Sequence, residues 1–311
     1  MKKKITVLGL CGNSVFLSVD HFHQPGETVS ALHRYAEPGG KGYNQAVAAA
    51  RLGAEVSFIT CIGDDSDGRM CMEFLEKEGV APIPQVHPSL PSAYACILTD
   101  AAGDNRVTVY RGAADHLTAD FIRAQESVIA ESDLLLLNNE YPAECNTTAM
   151  ELAQKHDVPV MYNPAPAMKT DKSFLQSCRC VTPNLSETAL LLGITDCSLP
   201  ELKDAFRKGG IPCAVVTLGG DGAALFEGET ALHFPPCQTT AADTTGAGDC
   251  FTAALSVALL DGKTSAEAVV WAMNAAALSV SKPYVMPSLP KKAELEKNYQ
   301  PLHPTTISNK E

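Results

Sequence analysis

Short, continuous apolar runs alternate with helix-length, alanine-rich segments along most of the chain. Runs such as KITVLGL, EVSFITCIG, DLLLLNN, VPVMYNPA, CRCVTPN and CAVVTLGGDG are separated by helix-like segments, among them YNQAVAAARLGA and DGRMCMEFLEKEGV. Strands that are apolar on both faces and are spaced by helices usually pair in parallel. The pattern therefore predicts an α/β fold with a mostly parallel central sheet that is covered on both faces.

Two further segments predict a second, smaller sheet. SVFLSVDHF with ETVSALHRY, and SAYACILTD with NRVTVYRG, form two candidate hairpins, the second of which turns at AAGD. Their residues alternate with a period of two, which is typical of β-strands. We expect a single α/β domain over residues 1–311, with a β-sheet lid inserted from about 14–35 and 92–111.

The charge of the chain limits its partners. The chain has 311 residues, 45% of them hydrophobic, and a net charge of −12. Binding to nucleic acid or to an anionic membrane depends on clustered Lys and Arg, so we expect neither partner. No run approaches the ~18 apolar residues that a membrane span needs. A polyphosphate would have to be bound locally, by backbone N–H groups, one or two cations and a metal ion.

Cysteine usage and the N-terminal sequence favour a cytoplasmic protein. Eleven cysteines are scattered from Cys11 to Cys250 without any C-x-x-C pair. Such thiols with apolar neighbours are typical of reduced core residues. The N-terminal run MKKKITVLGLCG is interrupted by Gly9, Gly12 and Asn13, and no A-x-A cleavage site follows, which argues against export.

The stretch DTTGAGDCFTAAL carries the main candidate for chemistry. It places Asp249 after the turn Gly246, Ala247, Gly248 and before an apolar helix. Backbone N–H groups at a helix start can hold phosphate charge while the carboxylate faces an acceptor hydroxyl. From these residues alone, a simple helix cap by Asp249 is an equal alternative. The P-loop pattern G-x-x-x-x-G-K-[ST] and the dinucleotide pattern G-x-G-x-x-G are both missing from the sequence.

The segment PGGKGYNQA is a candidate for binding hydroxyl groups. The backbone at Gly39 and Gly40 is open to hydrogen bonding, and Lys41 and Asn44 supply side-chain donors. Taken alone, an ordinary strand-to-helix turn explains these residues better.

Three other segments give weaker signals. TPNLSE places Asn184 and Glu187 on one helix face, where they could hold water around Mg²⁺, although a plain helix start explains them more simply. VTLGGDG ends a strand in a turn that could line adenine and ribose. Glu140 follows DLLLLNN at the carboxyl end of a strand, where open α/β sheets bind ligands, although an exposed loop residue is the default interpretation.

These motifs occur in an order that resembles one known family. GGKGYNQAVAAARLGA with FITCIGDDSDG, and later DTTGAGDCFTAAL, resemble the two signatures of the ribokinase-like (PfkB) sugar kinases. Within that family the similarity to the ribokinases extends over nearly the whole chain. It includes five short collinear motifs: PGETV at 25–29, NPAPA at 163–167, TPN at 182–184, TLG at 217–219 and PSLP at 287–290. Long signatures joined by collinear short motifs are specific.

The resemblance implies a ribokinase-like three-layer fold with a mostly parallel central sheet and a small β-sheet lid. It implies an ATP-dependent kinase that phosphorylates the hydroxymethyl group of a small sugar, ribose or a related carbohydrate. The cofactors would be ATP and Mg²⁺, with K⁺ as a further candidate. Exposed lid strands invite pairing, so the partners would be the sugar, ATP and a second copy of the chain in a homodimer. The lid residues named for this pairing are Val15, Leu17, Tyr94 and Val109.

The resemblance also implies roles for individual residues. Asp249 matches the catalytic base, and the anion hole matches Gly246, Ala247 and Gly248. The residues that match sugar contacts are Gly39, Gly40, Lys41, Asn44 and Glu140. Those that match the magnesium and nucleotide sites are Asn184, Glu187 (through water), Thr217, Gly219, Gly222 and Asn274. Part of a monovalent-cation site matches Asp243 and Ser288.

Two departures from the family pattern affect these expectations. Ribokinases carry an Asn and an Asp after the first strand that hold sugar hydroxyls, whereas this chain has Gly12 and Ser14, with Asn13 as a candidate replacement. Loss of the charged acceptor weakens recognition of the ribose diol, because hydrogen bonds to charged groups contribute about 1.5–3 kcal/mol. A glycine of the cation loop is replaced by Tyr284, which argues against activation by K⁺.

Two alternatives to a small-sugar kinase stay open at the level of the sequence. A nucleoside kinase of the same family also phosphorylates a ribose 5-hydroxymethyl group. The loss of the charged sugar ligand and the aromatic Tyr43 beside the sugar motif leave this alternative open. The other alternative is a catalytically silent sugar sensor on the same fold. Retention of Asp249, the anion hole and Glu187 argues against the sensor.

Overall fold

The computed structural model describes residues 2–308 and contains two β-sheets with helices packed around them. The strands are β1 (Lys4–Leu8), β2 (Gly12–Ser18), β3 (His33–Gly39), β4 (Glu55–Gly63), β5 (Val80–His87), β6 (Ala93–Thr99), β7 (Asn105–Tyr110), β8 (Leu134–Asn138), β9 (Val160–Asn163), β10 (Cys180–Val181), β11 (Cys213–Thr217), β12 (Ala223–Glu227), β13 (Thr230–Phe234) and β14 (Thr305–Thr306). The helices are α1 (Lys41–Arg51), α2 (Ser66–Lys77), α3 (Ala119–Arg123), α4 (Glu126–Ala130), α5 (Ala143–Lys155), α6 (Lys172–Ser177), α7 (Leu185–Leu192), α8 (Leu199–Gly209), α9 (Ala247–Leu260), α10 (Ser265–Val280) and α11 (Lys292–Lys297).

The larger sheet is mostly parallel, as its apolar strands predict. Its strand order is β14-β13-β12-β11-β10-β9-β8-β1-β4-β5. The strands from β11 to β5 pair in parallel, and β12, β13 and β14 extend one edge in antiparallel fashion. The edge strand β5 contains Pro82 and Pro84, and it is accommodated because proline is tolerated at a sheet edge, where no neighbour needs its missing N–H.

Helices cover both faces of this sheet and form two separate cores. Neighbouring residues of a strand point to opposite faces, so Val7 packs with α1, α2, α9 and α10, while Leu8 packs with α3, α5 and α8. Each core consists of fully buried aliphatic and aromatic side chains, which include Phe58 on one side and Ile122 on the other. The three-layer fold predicted from the sequence is confirmed.

The second sheet has four strands in the order β3-β2-β6-β7. Its two hairpins pair in antiparallel fashion and join through parallel strands β2 and β6. The register places Val15, Leu17 and Tyr94 on one face and Val109 on the other. The four residues that the sequence suggested for pairing with a second copy therefore do not form one surface, and Val15 is buried.

Neither cysteine pairing nor a membrane span stabilises this architecture. All eleven cysteines are free thiols, and eight of them are buried. Within residues 2–308, every helix is too short or too polar to cross a bilayer.

Gly12 packs against β6 with no space for a side chain. A Cβ atom at this position would lie 2.3 Å from the carbonyl oxygen of Ala93. We expect Gly12→Ala to lower the free energy of unfolding by about 1–3 kcal/mol because the paired backbones must shift.

The measurement is the thermal midpoint of unfolding, with Gly220→Ala as the matched control. A Cβ atom at Gly220 meets nothing within 4 Å. The control is expected to keep its midpoint within about 1–2 °C of the parent. An equally small change in Gly12→Ala would contradict the close packing of β2 on β6.

Candidate active site

A cavity of about 210 Å³ opens at the carboxyl ends of β9, β10 and β11 and beside the starts of α1 and α9. Parallel strands bring their carboxyl ends to one edge, which is where open α/β sheets bind ligands. The cavity therefore unites motifs that are far apart in the sequence. Its lining residues are Lys41, Asn163, Ala165, Thr182, Asn184, Glu187, Thr217, Thr244, Gly246, Gly248 and Asp249.

The Asp249 carboxylate lies in the first turn of α9 and is only 6% exposed. Its Oδ2 atom accepts a hydrogen bond from Asn44 Nδ2 at 2.7 Å, and its Oδ1 atom accepts one from Gln45 Nε2 at 3.2 Å. The N-cap of the helix is Gly246, where no side-chain hydrogen bond forms. Asp249 is thus held by α1 and does not act as the cap of its own helix.

Burial and one nearby cation control the charge of Asp249. Burial raises the pKa of Asp249, whereas Lys41 and the two amide donors lower it. In return, Asp249 is the main cause that raises the pKa of Lys41, with smaller contributions from Glu140 and Glu187. Lys41 is therefore held as a cation at the edge of the cavity, where it favours the ionised form of Asp249.

The turn before α9 has a conformation that only glycine adopts easily. Gly246 has φ +77°, and a Cβ atom there would lie 2.6 Å from Cγ1 of Val285. Gly246 and Gly248 line the cavity at the N-terminus of the helix, and the N–H of Ala247 donates to the Thr244 carbonyl oxygen at 3.3 Å. Two of the three residues that resemble an anion hole thus face the cavity.

Asn184 and Glu187 form a capping box at the start of α7. Asn184 Oδ1 accepts from the N–H of Glu187, and Glu187 Oε2 accepts from the N–H of Asn184, both at 2.8 Å. The plain helix start that explains this motif most simply is therefore present. Both residues also line the cavity, and burial raises the pKa of Glu187.

The donor set of the cavity fits a hydrated magnesium ion bound together with phosphates. In the part of the chain that the structure describes, no three His, Cys, Asp or Glu side chains are grouped to enclose a metal ion. Mg²⁺ commonly keeps several waters and uses one or two carboxylates plus substrate phosphates. Glu187, at the cavity wall, is a carboxylate of this kind.

Glu140 fixes the turn that precedes α1. Its Oε1 atom accepts from the N–H of Lys41 at 2.7 Å, and its Oε2 atom accepts from Gly42 at 2.8 Å and Leu10 at 3.0 Å. Burial raises the pKa of Glu140 to about 7, although the N–H groups of Gly42 and Lys41 and the charge of Lys41 oppose the shift. The residue is neither an exposed loop side chain nor a lining residue of the cavity; it shapes the start of the sugar motif.

The turn itself is tightly packed. Gly40, the N-cap of α1, has φ +129°, and a Cβ atom there would lie 2.1 Å from the Leu10 carbonyl oxygen. Ser14 Oγ lies 2.7 Å from the Cβ position of Gly39. The backbone of the glycine pair therefore runs directly against Leu10, which follows β1, and against Ser14 in β2.

Asn13 points away from this group. Residues 13 and 14 lie on opposite faces of β2 because side chains alternate along a strand. Asn13 Nδ2 donates to Asp67 of α2 at 3.1 Å. Its position therefore does not match that of a replacement for the charged sugar ligand.

The nucleotide-site candidates divide into two groups. Thr217 lines the cavity and pairs with the backbone of Asn184, and the glycine-rich turn follows it with positive φ at Gly219 and Gly222. Asn274 is buried elsewhere: its Nδ2 atom donates to the carbonyls of Val270 and Gln300, and its oxygen accepts from the N–H of Gln300. In this structure Asn274 anchors the C-terminal segment.

Both candidate residues of the monovalent-cation site are engaged within the protein. The Asp243 carboxylate accepts from the N–H of Thr245 at 2.9 Å and of Tyr284 at 3.0 Å. Ser288 is fully buried, and its hydroxyl donates to the Val285 carbonyl oxygen at 2.8 Å. Tyr284 adopts φ +64°, a conformation that suits the glycine it replaces.

Motif reasoning missed several polar residues of the site. Gln45 Nε2 is shared between Asp249 and Asn163 Oδ1, and Asn163 Nδ2 in turn donates to the Thr182 carbonyl. Two features of the sequence indicate these residues: Gln45 directly follows Asn44, and Asn163 begins the NPAPA motif. In the described residues, the buried side-chain oxygens of Asn44 and Gln45 accept no hydrogen bond, which is unusual for buried polar atoms.

Tyr43 is part of the core and is not part of the site. Its ring is fully buried and packs edge-on against Phe58, with centroids 5.8 Å apart. Its hydroxyl donates to the Cys71 carbonyl at 2.9 Å. Core packing therefore accounts for the aromatic residue at position 43, which had been one reason to consider a nucleoside kinase.

Comparison with known proteins agrees with this geometry. The family model described as pfkB family carbohydrate kinase matches residues 2–292. The ribokinase of Haemophilus influenzae is 36% identical over 94% of this chain and 97% of its own length. A crystal structure of ribokinase from Thermotoga maritima has a TM-score of 0.85 at 36% identity, with 94% of this chain and 98% of that chain covered.

An Arabidopsis thaliana ribokinase solved with ribose and ATP has a similar fold at lower sequence identity. Its TM-score is 0.87 at 27% identity, and the match covers 96% of this chain and 99% of that chain. Both long signatures and the whole three-layer fold fall within these matches. The chain belongs to the pfkB family of carbohydrate kinases.

Proposed function

We propose that this chain transfers the γ-phosphoryl group of ATP to the hydroxymethyl group of a pentose, ribose or a close relative. As a member of the family the chain is an ATP-dependent sugar kinase. The observation that carries the phosphoryl-transfer assignment at this site is the buried Asp249, held by Asn44 and Gln45 next to a glycine turn at a helix start. Relatives of similar length act as ribokinases, and one was solved with ribose and ATP.

Asp249 acts as the general base in this proposal. In a loose phosphoryl-transfer transition state, the acceptor hydroxyl loses its proton late, so a positioned carboxylate suffices and need not ionise the alcohol beforehand. The hydrogen bonds from Asn44 and Gln45 fix the carboxylate, and Lys41 favours its ionised form by lowering a pKa that burial raises. The Asp249 carboxylate lies beside a phosphate-binding turn, but in this proposal it interacts with the acceptor hydroxyl and not with the phosphate.

The turn before α9 stabilises charge on the transferring group. Gly246 and Gly248 bring backbone N–H groups to the cavity wall at the positive end of the helix dipole. Asn184 and Glu187 are placed to hold a hydrated Mg²⁺, which would neutralise charge on the phosphates. Thr217 and the turn through Gly219 and Gly222 form the proposed nucleotide side of the cavity.

The acceptor side lies between α1 and the small sheet. The unpaired oxygens of Asn44 and Gln45 provide acceptors for sugar hydroxyls, and Ser14 next to Gly39 provides a neutral hydroxyl. Because no charged side chain stands at positions 12 and 14, we propose weak discrimination between ribose and 2-deoxyribose. The small sheet would act as a lid that excludes water from the reaction.

The assembly and the compartment are further parts of the proposal. Val107 and Val109 lie in β7, an edge strand of the small sheet, and are 58% and 54% exposed on one face of that sheet. Burial of this face against a second copy would give a homodimer. The eleven free thiols favour the reducing cytoplasm.

A coupled ADP-release screen tests the proposed function. We expect turnover with ribose and 2-deoxyribose and much less with hexoses and nucleosides. Asp249→Asn keeps the size of the side chain and one of its two acceptor oxygens but removes the base, so kcat should fall about 10²–10⁴-fold. The variant serves as the blank for the screen. Near-normal kcat in Asp249→Asn would remove it from this role, and turnover of no sugar by the parent would favour the silent sensor.

The magnesium dependence tests Glu187. Glutamine preserves a capping box, so Glu187→Gln is expected to keep the thermal midpoint while it removes the charge. The Mg²⁺ concentration for half-maximal activity should rise in this variant because one anionic partner of the hydrated ion is lost. A magnesium titration at saturating ATP measures the change. An unchanged titration curve would remove Glu187 from the magnesium site.

Sedimentation velocity tests the homodimer. The parent is expected to sediment as a dimer at micromolar concentration, and Val107→Lys with Val109→Lys should shift it to a monomer. Thr108→Lys is the matched control, since Thr108 is exposed on the opposite face of the same strand. A monomeric parent, or equal dissociation by the control, would contradict pairing through this face.

A further inference from the structure

A buried carboxylate connects the small sheet to the segment between α10 and α11. Glu37 lies in β3 and is only 4% exposed. Its Oε1 atom accepts from the N–H of Val285 and its Oε2 atom from the N–H of Met286, both at 2.9 Å. A buried carboxylate is costly unless it is paired, and these two charge-assisted hydrogen bonds supply the pairing. The position of this segment is therefore linked to that of β3.

The same segment is held from its other side by Arg51. Arg51 Nη1 donates to the carbonyl oxygens of Met286 at 2.6 Å and Leu289 at 2.9 Å. Two further hydrogen bonds join Arg51 to the Glu78 carboxylate. Glu37 thus binds N–H groups of the segment while Arg51 binds its carbonyl groups, which fixes the orientation of its peptides.

Aromatic packing adds a second link to the small sheet. The Tyr284 ring stacks on Tyr35 with centroids 3.9 Å apart and meets the edge of Phe16 at 5.5 Å. Tyr284 has φ +64°, which is unusual for a bulky residue and persists only where the surroundings impose it. Three neighbouring residues, 284 to 286, are therefore held by β2 and β3.

This segment supports the phosphate turn directly. Val285 Cγ1 lies 2.6 Å from the Cβ position of Gly246, so its side chain packs on the glycine backbone. The N–H of Tyr284 donates to Asp243, whose other oxygen accepts from Thr245 in the same turn. A displacement of residues 284–286 would therefore shift the turn that places Gly246, Gly248 and Asp249.

We propose that Glu37 is a positioning residue for phosphoryl transfer. It acts through Val285 on the turn at Gly246, and it stands on the strand that continues into Gly39, Gly40 and Lys41 of the sugar motif. One carboxylate thus sets the spacing between the acceptor side and the phosphate side of the site. Transfer depends on sub-ångström placement of the reacting groups, so loss of this spacing lowers turnover more than binding. The inference rests on the proposed kinase function.

The first test replaces Glu37 with glutamine. Glutamine keeps the shape but places an NH₂ group against one of the two backbone donors. The expected result is a kcat that falls about 10- to 100-fold while KM for sugar and for ATP stays within about threefold. Glu27→Gln, in the connection between β2 and β3, is the matched control and should leave kcat unchanged. Unchanged kcat in Glu37→Gln would overturn the proposal.

A stability control separates positioning from a general loss of folding. Ile129→Val removes one buried methylene in the opposite core, and its thermal midpoint should fall while its kcat stays at the parent value. If Ile129→Val lowers kcat as much as Glu37→Gln does at a similar midpoint, the effect of Glu37 is general destabilisation and the proposal is wrong.

A double-mutant cycle tests the route through Val285. Val285→Ala keeps the backbone N–H that binds Glu37 and removes only the side chain that packs on Gly246. This variant alone should lower kcat, which also provides a test if Glu37→Gln does not fold. The combined variant should lose no more turnover than the worse single variant, because both break one pathway. Unchanged kcat in Val285→Ala, or additive losses in the logarithm of kcat, would overturn the route.

Hydrogen exchange gives a readout that does not depend on turnover. Amides of residues 243–250 and 284–286 should exchange faster in Glu37→Gln than in the parent, with Glu27→Gln unchanged. If these amides exchange faster in Glu37→Gln but the parent phosphorylates no sugar, the proposed function is contradicted. The structural link from Glu37 to the turn at Gly246 then still holds. Unchanged exchange in 243–250 would overturn the link itself.

Discussion

The hydrogen bonds that Asn44 and Gln45 donate to Asp249 bring the two halves of the site together. They join the first turns of α1 and α9, which belong to the two sequence signatures of the family. Each partner explains the other: the carboxylate needs donors because it is buried, and the two amides need an acceptor for their N–H groups. Lys41 at the start of α1 supplies the opposite charge. This contact is the direct side-chain link between the sugar motif and the base that follows the phosphate turn.

Around this contact the fold provides rigid supports at each approach of the backbone. Glu140 binds three amides at the start of α1, the capping box fixes α7, and Val285 packs on Gly246 at the start of α9. Each support holds a helix N-terminus toward the same cavity. The site therefore combines anion-binding backbone groups with one buried base, which is what transfer of a phosphoryl group to an alcohol requires.

Local sequence patterns could predict the sheet and the motif residues, but not the partners of buried polar groups. Five of the predicted residues line the cavity: Lys41, Asn184, Glu187, Thr217 and Asp249. They could be predicted because each lies close to a glycine turn or to the end of a strand, which the local sequence indicates. The role of Glu37 could not be predicted because its two partners lie 248 and 249 residues away along the chain. Asn274 resembled a nucleotide contact but binds Gln300, and β5 was obscured by its prolines. In each case contacts between distant parts of the chain determine the role of the residues, and the local sequence does not show these contacts.

The pH dependence of kcat/KM in Lys41→Met, compared with the parent, tests the central contact most directly. Lys41 lowers the pKa of Asp249 while burial raises it, so removal of the cation should raise that pKa further. Activity requires ionised Asp249, and the acid limb of the profile is therefore predicted to move to higher pH. A profile that loses height but keeps its acid limb in place would contradict the assignment of Asp249 as a base whose charge Lys41 maintains.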